Sequence, residues 1–346
     1  MVEHLLPAVV AIFLWWFATG LILYLDGMRR ETFAYSLGAA TLLLGAAVFG
    51  LHATSDLATP HGAVVGFLGG LAIWGWLELA FLTGFVTGPE RSACPPGLRG
   101  WGRFVRATRT LLHHELAILS ALLWTANLTW DGPNRIGLWT VLLLFGMRLS
   151  SKLNLFLGVR NSNAEFLPDH LRYLGTYFGK ARGNPLLPFS LAGSVAVAGL
   201  LLWTAFAPGA DSFTAVGFTL LGTLAALGAL EHALMLLPLP ATLLWGWGFR
   251  SRGFSAELGQ CDPGGLERLL QAVARGTYGR VDRLQGVVLV GEGWVRFDVA
   301  AGQPSLSPAA GQDGPGRVTA TGRVDGSRLR AAFEACSATR MRRYPA

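Results

Sequence analysis

Seven carboxylate and imidazole side chains stand out for where they fall. Glu78, Glu231 and His232 lie inside long apolar runs, His114 and Glu115 open another, and Glu165 and His170 follow a fifth run that itself carries Arg148 and Lys152. An ionisable group at membrane depth is costly and by default marks function. At ~1.5 Å per residue, Glu78 lies roughly 15 Å, Arg148 about 13 Å and Glu231 roughly 10 Å from the nearer end of its run. Three chemistries are open to such a set. The first is a structural ion pair, Arg148 with Glu78, whose depths match to within about 2 Å. The second is a metal centre of the di-iron kind, built from His and carboxylates on several helices of a bundle. His114, His170, His232, Glu78, Glu115, Glu165 and Glu231 are its candidate ligands. The usual Glu-x-x-His spacing is missing, because Glu231-His232 and His114-Glu115 are adjacent and diverge by about 100° on a helix. The third is a neutral His114, His170 or His232 ligating the central metal of a tetrapyrrole pigment, with Trp and Phe lining an apolar pocket.

The elements that must position these groups are membrane spans. The chain has 346 residues, 52% hydrophobic and only 14% charged, against about 25% charged in an average soluble domain. Seven runs reach the roughly 20 apolar residues that a transmembrane helix needs: residues 5–25, 35–53, 63–87, 111–130, 136–157, 188–207 and 213–237. Pro, Gly, Asp and Asn fill the connections and end the helices. The N-terminus MVEHLLP has no basic residue, so the first run reads as a retained span rather than a cleaved signal. Thirteen basic residues fall in loops one, three and five and at the exit from span seven, against one, Arg135, in the remaining loops and the N-terminus. The positive-inside bias then puts the N-terminus outside and the C-terminus in the cytoplasm. All the polar groups named above gather in the cytoplasmic half.

The formal charge of +7 does not call for nucleic acid, since topology accounts for the basic loops. Cys94, Cys261 and Cys336 are odd in number and far apart in sequence, which suggests neither a disulfide framework nor a thiolate zinc site. Residues 166–183, FLPDHLRYLGTYFGKARG, have the make-up of an amphipathic surface helix against membrane lipid or a partner protein.

The chain divides into a seven-span transmembrane domain, 1–249, and a soluble extension, 250–346. All seven His and eleven of twelve Trp belong to the first part. In the second, residues 264–276 have helical spacing, residues 284–302 read as a hairpin about Gly291-Glu292-Gly293, and 317–324 as a third strand. A closing helix over 327–336 follows, with 301–316 as a Gly- and Pro-rich loop. The whole is an all-α polytopic helix bundle with a small α+β module that shows no catalytic motif.

Longer motifs point to a family. FLWWFATGLILYLDG (13–27), WGWLELAFLTGFVTGP (74–89), CPPGLRGWGRF (94–104), HHELAIL (113–119), MRLSSKLNLFLGV, NSNAEFLPDHLRYL and TYF within 137–178, and LEHALMLLPLP within 230–247 resemble the PuhE family. These are photosynthetic complex assembly proteins of phototrophic bacteria. The resemblance covers about residues 5–250 and leaves out the extension. It implies an inner-membrane protein that assists assembly of the reaction centre with its light-harvesting subunits, by handling bacteriochlorophyll or otherwise. It brings no catalytic residues. The rival from another class is a membrane enzyme with bound iron acting on a pigment precursor.

Overall fold

Long apolar runs leave the backbone no partner but itself, so they become helices. The computed structural model describes residues 2–162, 164, 167–237, 242–245, 254–300, 302–309 and 314–338. They form two compact units, Met1–Gly248 and Phe249–Ala346.

The first unit holds α1 (Val2–Asp26), α2 (Phe33–Ala53), α3 (Pro60–Leu82), α4 (Gly100–Thr129), α5 (Ile136–Leu157), a four-residue α6 (Arg172–Gly175), α7 (Leu186–Ala205), α8 (Ser212–Leu234) and a short α9 (Thr242–Trp245). Caps set several of the starts. Thr59 accepts a hydrogen bond from the Gly62 amide ahead of Pro60 at the first position, and Asp211 accepts one from the Thr214 amide. Among the described residues, six helices are long and apolar enough to cross a membrane: α1, α2, α3, α5, α7 and α8. The seventh expected span, residues 111–130, is not among them. Helix α4 is as long as any, with 30 residues, but its first half carries Arg103, Arg106, Arg109, His113, His114 and Glu115. These charges run straight into the apolar stretch, so no strongly apolar window survives. The amphipathic surface helix expected over 166–183 is corrected. The chain there makes a 3-10 turn (Asp169–Leu171) and the single turn of α6, and Gly175, Gly179 and Gly183 weaken any longer helix.

Side-chain contacts fix the helix directions. Gly66 lies beside Gly137, Gly70 beside Thr140, and Glu78 beside Arg148, so α3 and α5 run parallel. Their backbones meet closely: a Cβ on Gly70 would stand 2.7 Å from the Thr140 Cβ. Helix α8 runs the same way, with Gly217 against Ile136, Gly228 against Met147, and His232 against Ser150. So does α1, bonded to α8 through His4 and Thr219 at one end and Trp15 and Glu231 at the other. Helix α2 is antiparallel to α3, since Thr41 accepts from the Trp76 indole while Leu51 packs on Gly69. Helix α4 likewise brings the chain back from the end of α3 to the start of α5. His114 sits on Phe81, Ile118 packs with Leu77 and Ile73, and Gly132 meets Ser55 at the far end. There the Asn134 amide donates to the Thr54 and Gly62 carbonyls, at 3.0 and 2.8 Å, and ties three elements together.

The second unit is a five-stranded antiparallel sheet with two helices. Its strands are β1 (Phe254–Leu258), β2 (Gly279–Val290), β3 (Gly293–Ala300), β4 (Gln303–Pro308) and β5 (Gly316–Val324), in the order β1-β5-β2-β3-β4. Helices α10 (Pro263–Ala274) and α11 (Gly326–Ala338) cover the sheet. Leu284, Val288, Phe297, Val299, Val318 and Ala320 point one way at strand period. They meet Leu266, Leu270, Leu329 and Phe333 in one core. Gly286 has no side chain because the Phe297 ring lies over it, 2.4 Å from where its Cβ would be. Two expectations change. Residues 303–308, assigned to a loop, form edge strand β4, paired with β3. Strand β1 had gone unnoticed, being a five-residue segment beyond the last apolar run.

Candidate functional site

The polar groups of α3, α4, α5 and α8 meet in one layer. Arg148 donates to Glu78 Oε2 at 2.9 Å; the Glu78 side chain is buried, while that of Arg148 keeps 40% of its surface accessible. One turn further along α5, the Lys152 ammonium meets Glu115 Oε1 of α4 at 2.5 Å. Glu231 accepts a hydrogen bond from the Trp15 indole at 2.7 Å. His232 is fully buried with both ring nitrogens occupied: Nδ1 faces the Gly228 carbonyl at 2.8 Å and Nε2 the Ser150 hydroxyl at 2.9 Å. His114 is also fully buried, its ring 4.5 Å from that of Phe81, and neither nitrogen has a hydrogen-bond partner among the described residues. Glu78 Oε1 and Arg148 Nε share that condition.

The seven sequence candidates thus separate. Glu78, Glu115 and His114 gather with Arg148 and Lys152. Glu231 and His232 stand beside them on α8. His170 lies elsewhere, between Gly84 just after α3 and Phe33 at the start of α2, with ring centroids 6.0 Å apart from Phe33. Glu165 falls outside the described residues. Two participants were missed: Trp15, an aromatic inside the first apolar run, and Ser150, a hydroxyl with no charge to draw notice. Their signal was spacing, since Trp15 sits at the depth of Glu231 once α1 and α8 are known to be parallel.

A metal fits this arrangement poorly. Glu78 and Glu115 are spent on cations, His232 has no free lone pair, and among the described residues no three His, Cys, Asp or Glu form a metal-holding group. A tetrapyrrole fits no better at His114, whose ring is sealed against Phe81. What the layer can do is hold charge inside the bundle and bind small polar species.

Other polar residues settle more simply. His4 is stacked on Phe206 at 4.0 Å and hydrogen-bonded to Thr219, so it is a helix-packing residue. Cys261 and Cys336, remote in sequence, are both buried free thiols in the core of the second unit, and a hydrogen bond with the Cys261 thiol, together with burial, pushes the Cys336 thiol up.

Residues 1–255 match the model of a family described as a protein of unknown function, DUF3623. The chain belongs to this family. It is 43% identical over 248 residues to a protein of Rhodobacter capsulatus named as an uncharacterized 30.4 kDa protein in the puhA 5' region, covering 70% of this chain and 89% of that one. No solved structure matches. The whole polar layer, from Trp15 to His232, lies inside the matched residues, while α10, α11 and the sheet from α10 onward lie beyond them.

Proposed function

We propose that this chain is an inner-membrane assembly factor for the photosynthetic reaction centre and its light-harvesting complex. The observation that carries the reading is the relative in the puhA 5' region, 43% identical through nearly all of its own length. The PuhE-like motifs of residues 13–27, 74–89 and 230–247 support it. So does a membrane body whose large exposed side chains, such as Phe189, Trp203 and Leu42, offer apolar contact to lipid or to the helices of a client subunit. A seven-span topology is part of the proposal. Helix α4 reverses the chain between two parallel helices, and a helix of 30 residues reaches ~45 Å, enough to cross. With 13 basic residues on one side and one on the other, the N-terminus lies in the periplasm and the second unit in the cytoplasm. A reporter active only in the periplasm is then active when fused after Asp211 and silent after Arg252.

Bacteriochlorophyll or iron as a resident group finds little support in the polar layer, for the reasons of fit given above, and the reading of a metal enzyme has no observation in its favour. The assembly role is tested by deleting the gene in a phototrophic host and recording the near-infrared bands of reaction centre and antenna in its membranes. The bands are expected to fall several-fold and to return with the full chain. Unchanged bands overturn the reading.

A further inference from the structure

Charge balance in the polar layer leaves one proton to be assigned. The charged and titratable groups that face one another there are Glu78 of α3, His114 and Glu115 of α4, Arg148 and Lys152 of α5, and Glu231 and His232 of α8; α1 contributes only the Trp15 indole. Three carboxylates stand against two cations. Glu78 and Glu115 each hold one cation, and among the described residues Glu231 has no cation within 4 Å. A net charge inside a membrane bundle is costly, so the layer as built requires one added positive charge. A metal ion does not fit. The two imidazoles are sealed, each fully buried, whereas Glu231 keeps part of its surface accessible and lies near Arg148, whose side chain is 40% accessible. The buried, unpartnered atoms of His114, Glu78 and Arg148 mark the same place as one that water molecules complete.

We propose that Glu231 is an intramembrane proton-binding site, its carboxyl held by Trp15 and its occupancy set by the competition of Glu78 and Glu231 for Arg148. Binding forms an O–H bond on the Glu231 oxygen that Trp15 leaves free, and release gives the proton to water reaching the layer beside Arg148. The count makes sharp demands. Removing either Glu231 or Glu78 leaves two carboxylates and two cations, so no proton is needed. Removing Arg148 leaves three carboxylates and one cation, so two are.

Infrared spectroscopy of the purified full-length protein in lipid bilayers at neutral pH reads this directly through the C=O stretch of a protonated carboxyl, recognised by its shift in heavy water. The wild type is expected to show one such carboxyl. Glu231→Gln and Glu78→Gln are each expected to show none, and Arg148→Gln two. Should Arg148→Gln fail to fold, the double variant Glu78→Gln with Arg148→Gln is expected to show one again. A wild-type spectrum without the band puts the charge on an imidazole or a bound cation and overturns the proposal. A band that survives Glu78→Gln unchanged overturns it too, because the two carboxylates then do not compete.

Discussion

Both units bury apolar side chains, but they differ in what they place among them and what they leave outside. In the membrane unit Glu78, Arg148, Glu115, Lys152, Glu231 and two His are gathered between helices beside Phe67, Ile118 and Leu220, while Leu42, Phe189 and Trp203 are left at least three-quarters uncovered. In the second unit Leu284, Phe297, Leu329 and Phe333 are sealed away, and the ion pair of Arg283 with Asp298 sits on the outer face of the sheet. Each unit hides what its solvent dislikes. Water expels apolar surface, whereas lipid tails are as apolar as Leu and give helices no hydrophobic reason to associate, leaving close packing and polar contacts to join them. The close approach of α3 to α5 at Gly66 and Gly70 and the hydrogen bonds from Trp15, Trp76 and Asn134 are the bonds of that second kind.

Truncating the hidden apolar side of the second unit should have the largest effect. Phe333→Ala removes a fully buried ring packed on Phe297 and is expected to cost ~3–5 kcal/mol, seen as a lower unfolding midpoint for the second unit with the membrane unit unaffected. An equal loss in both units would show that they unfold as one. The same substitution type placed on outer faces should separate the units next. Leu42→Lys, at the centre of α2, is expected to cost ~2.5–3.5 kcal/mol in membrane insertion. Ser305→Lys on exposed β4 should stay within about 0.5 kcal/mol. Comparable expression of both variants would argue that α2 is not lipid-facing.

Breaking the polar interior comes third. Arg148→Leu strands Glu78, and is expected to cost roughly 2–3 kcal/mol, below the ~3–5 of a fully buried pair because the Arg148 side chain is partly accessible. Adding Glu78→Gln should recover much of the loss of folded protein in detergent. A double variant as damaged as the sum of the singles would mean the pair does not couple. The smallest effect belongs to the outer pair. The hydrogen bonds and charge of Arg283 hold the Asp298 carboxyl below the usual carboxylate range. Its contribution is present above the ordinary Asp pKa and is lost as pH falls through the lowered one, so Asp298→Asn should slightly lower the stability of the second unit at neutral pH and leave no difference from the wild type in acid.

Much of this was legible before any coordinates. Span positions followed from apolar length, and the matching depths of Glu78 and Arg148 pointed to one layer. The limits were physical. Helix α4 reads as a span by length but not by composition, because Glu115 inside its apolar stretch is paired with Lys152 of α5, and pairing is invisible one residue at a time. The layer's hydrogen bonds were hidden for a related reason: Trp15 and Glu231 are 216 residues apart, and only the parallel course of α1 and α8 brings them level. In the second unit, β4 was taken for a loop because Pro304 and Pro308 flank Ser305 and Ser307, a composition suited to an edge strand as well as to a turn. The thiols of Cys261 and Cys336 meet through sheet topology, which spacing does not encode.

The bond between the first long helix and the last also sets a clock. Helix α1 finds its companions His4–Thr219 and Trp15–Glu231 only after α8 has been made. At a synthesis rate of ~5–20 residues per second, Trp15 waits on the order of 10 to 40 seconds between its own emergence and that of Glu231. Throughout that interval α1 has no α8 to lean on, and a chain cut short before residue 212 never closes the bundle. Quality control that samples membrane proteins during translation would therefore meet this one half-built for most of its birth.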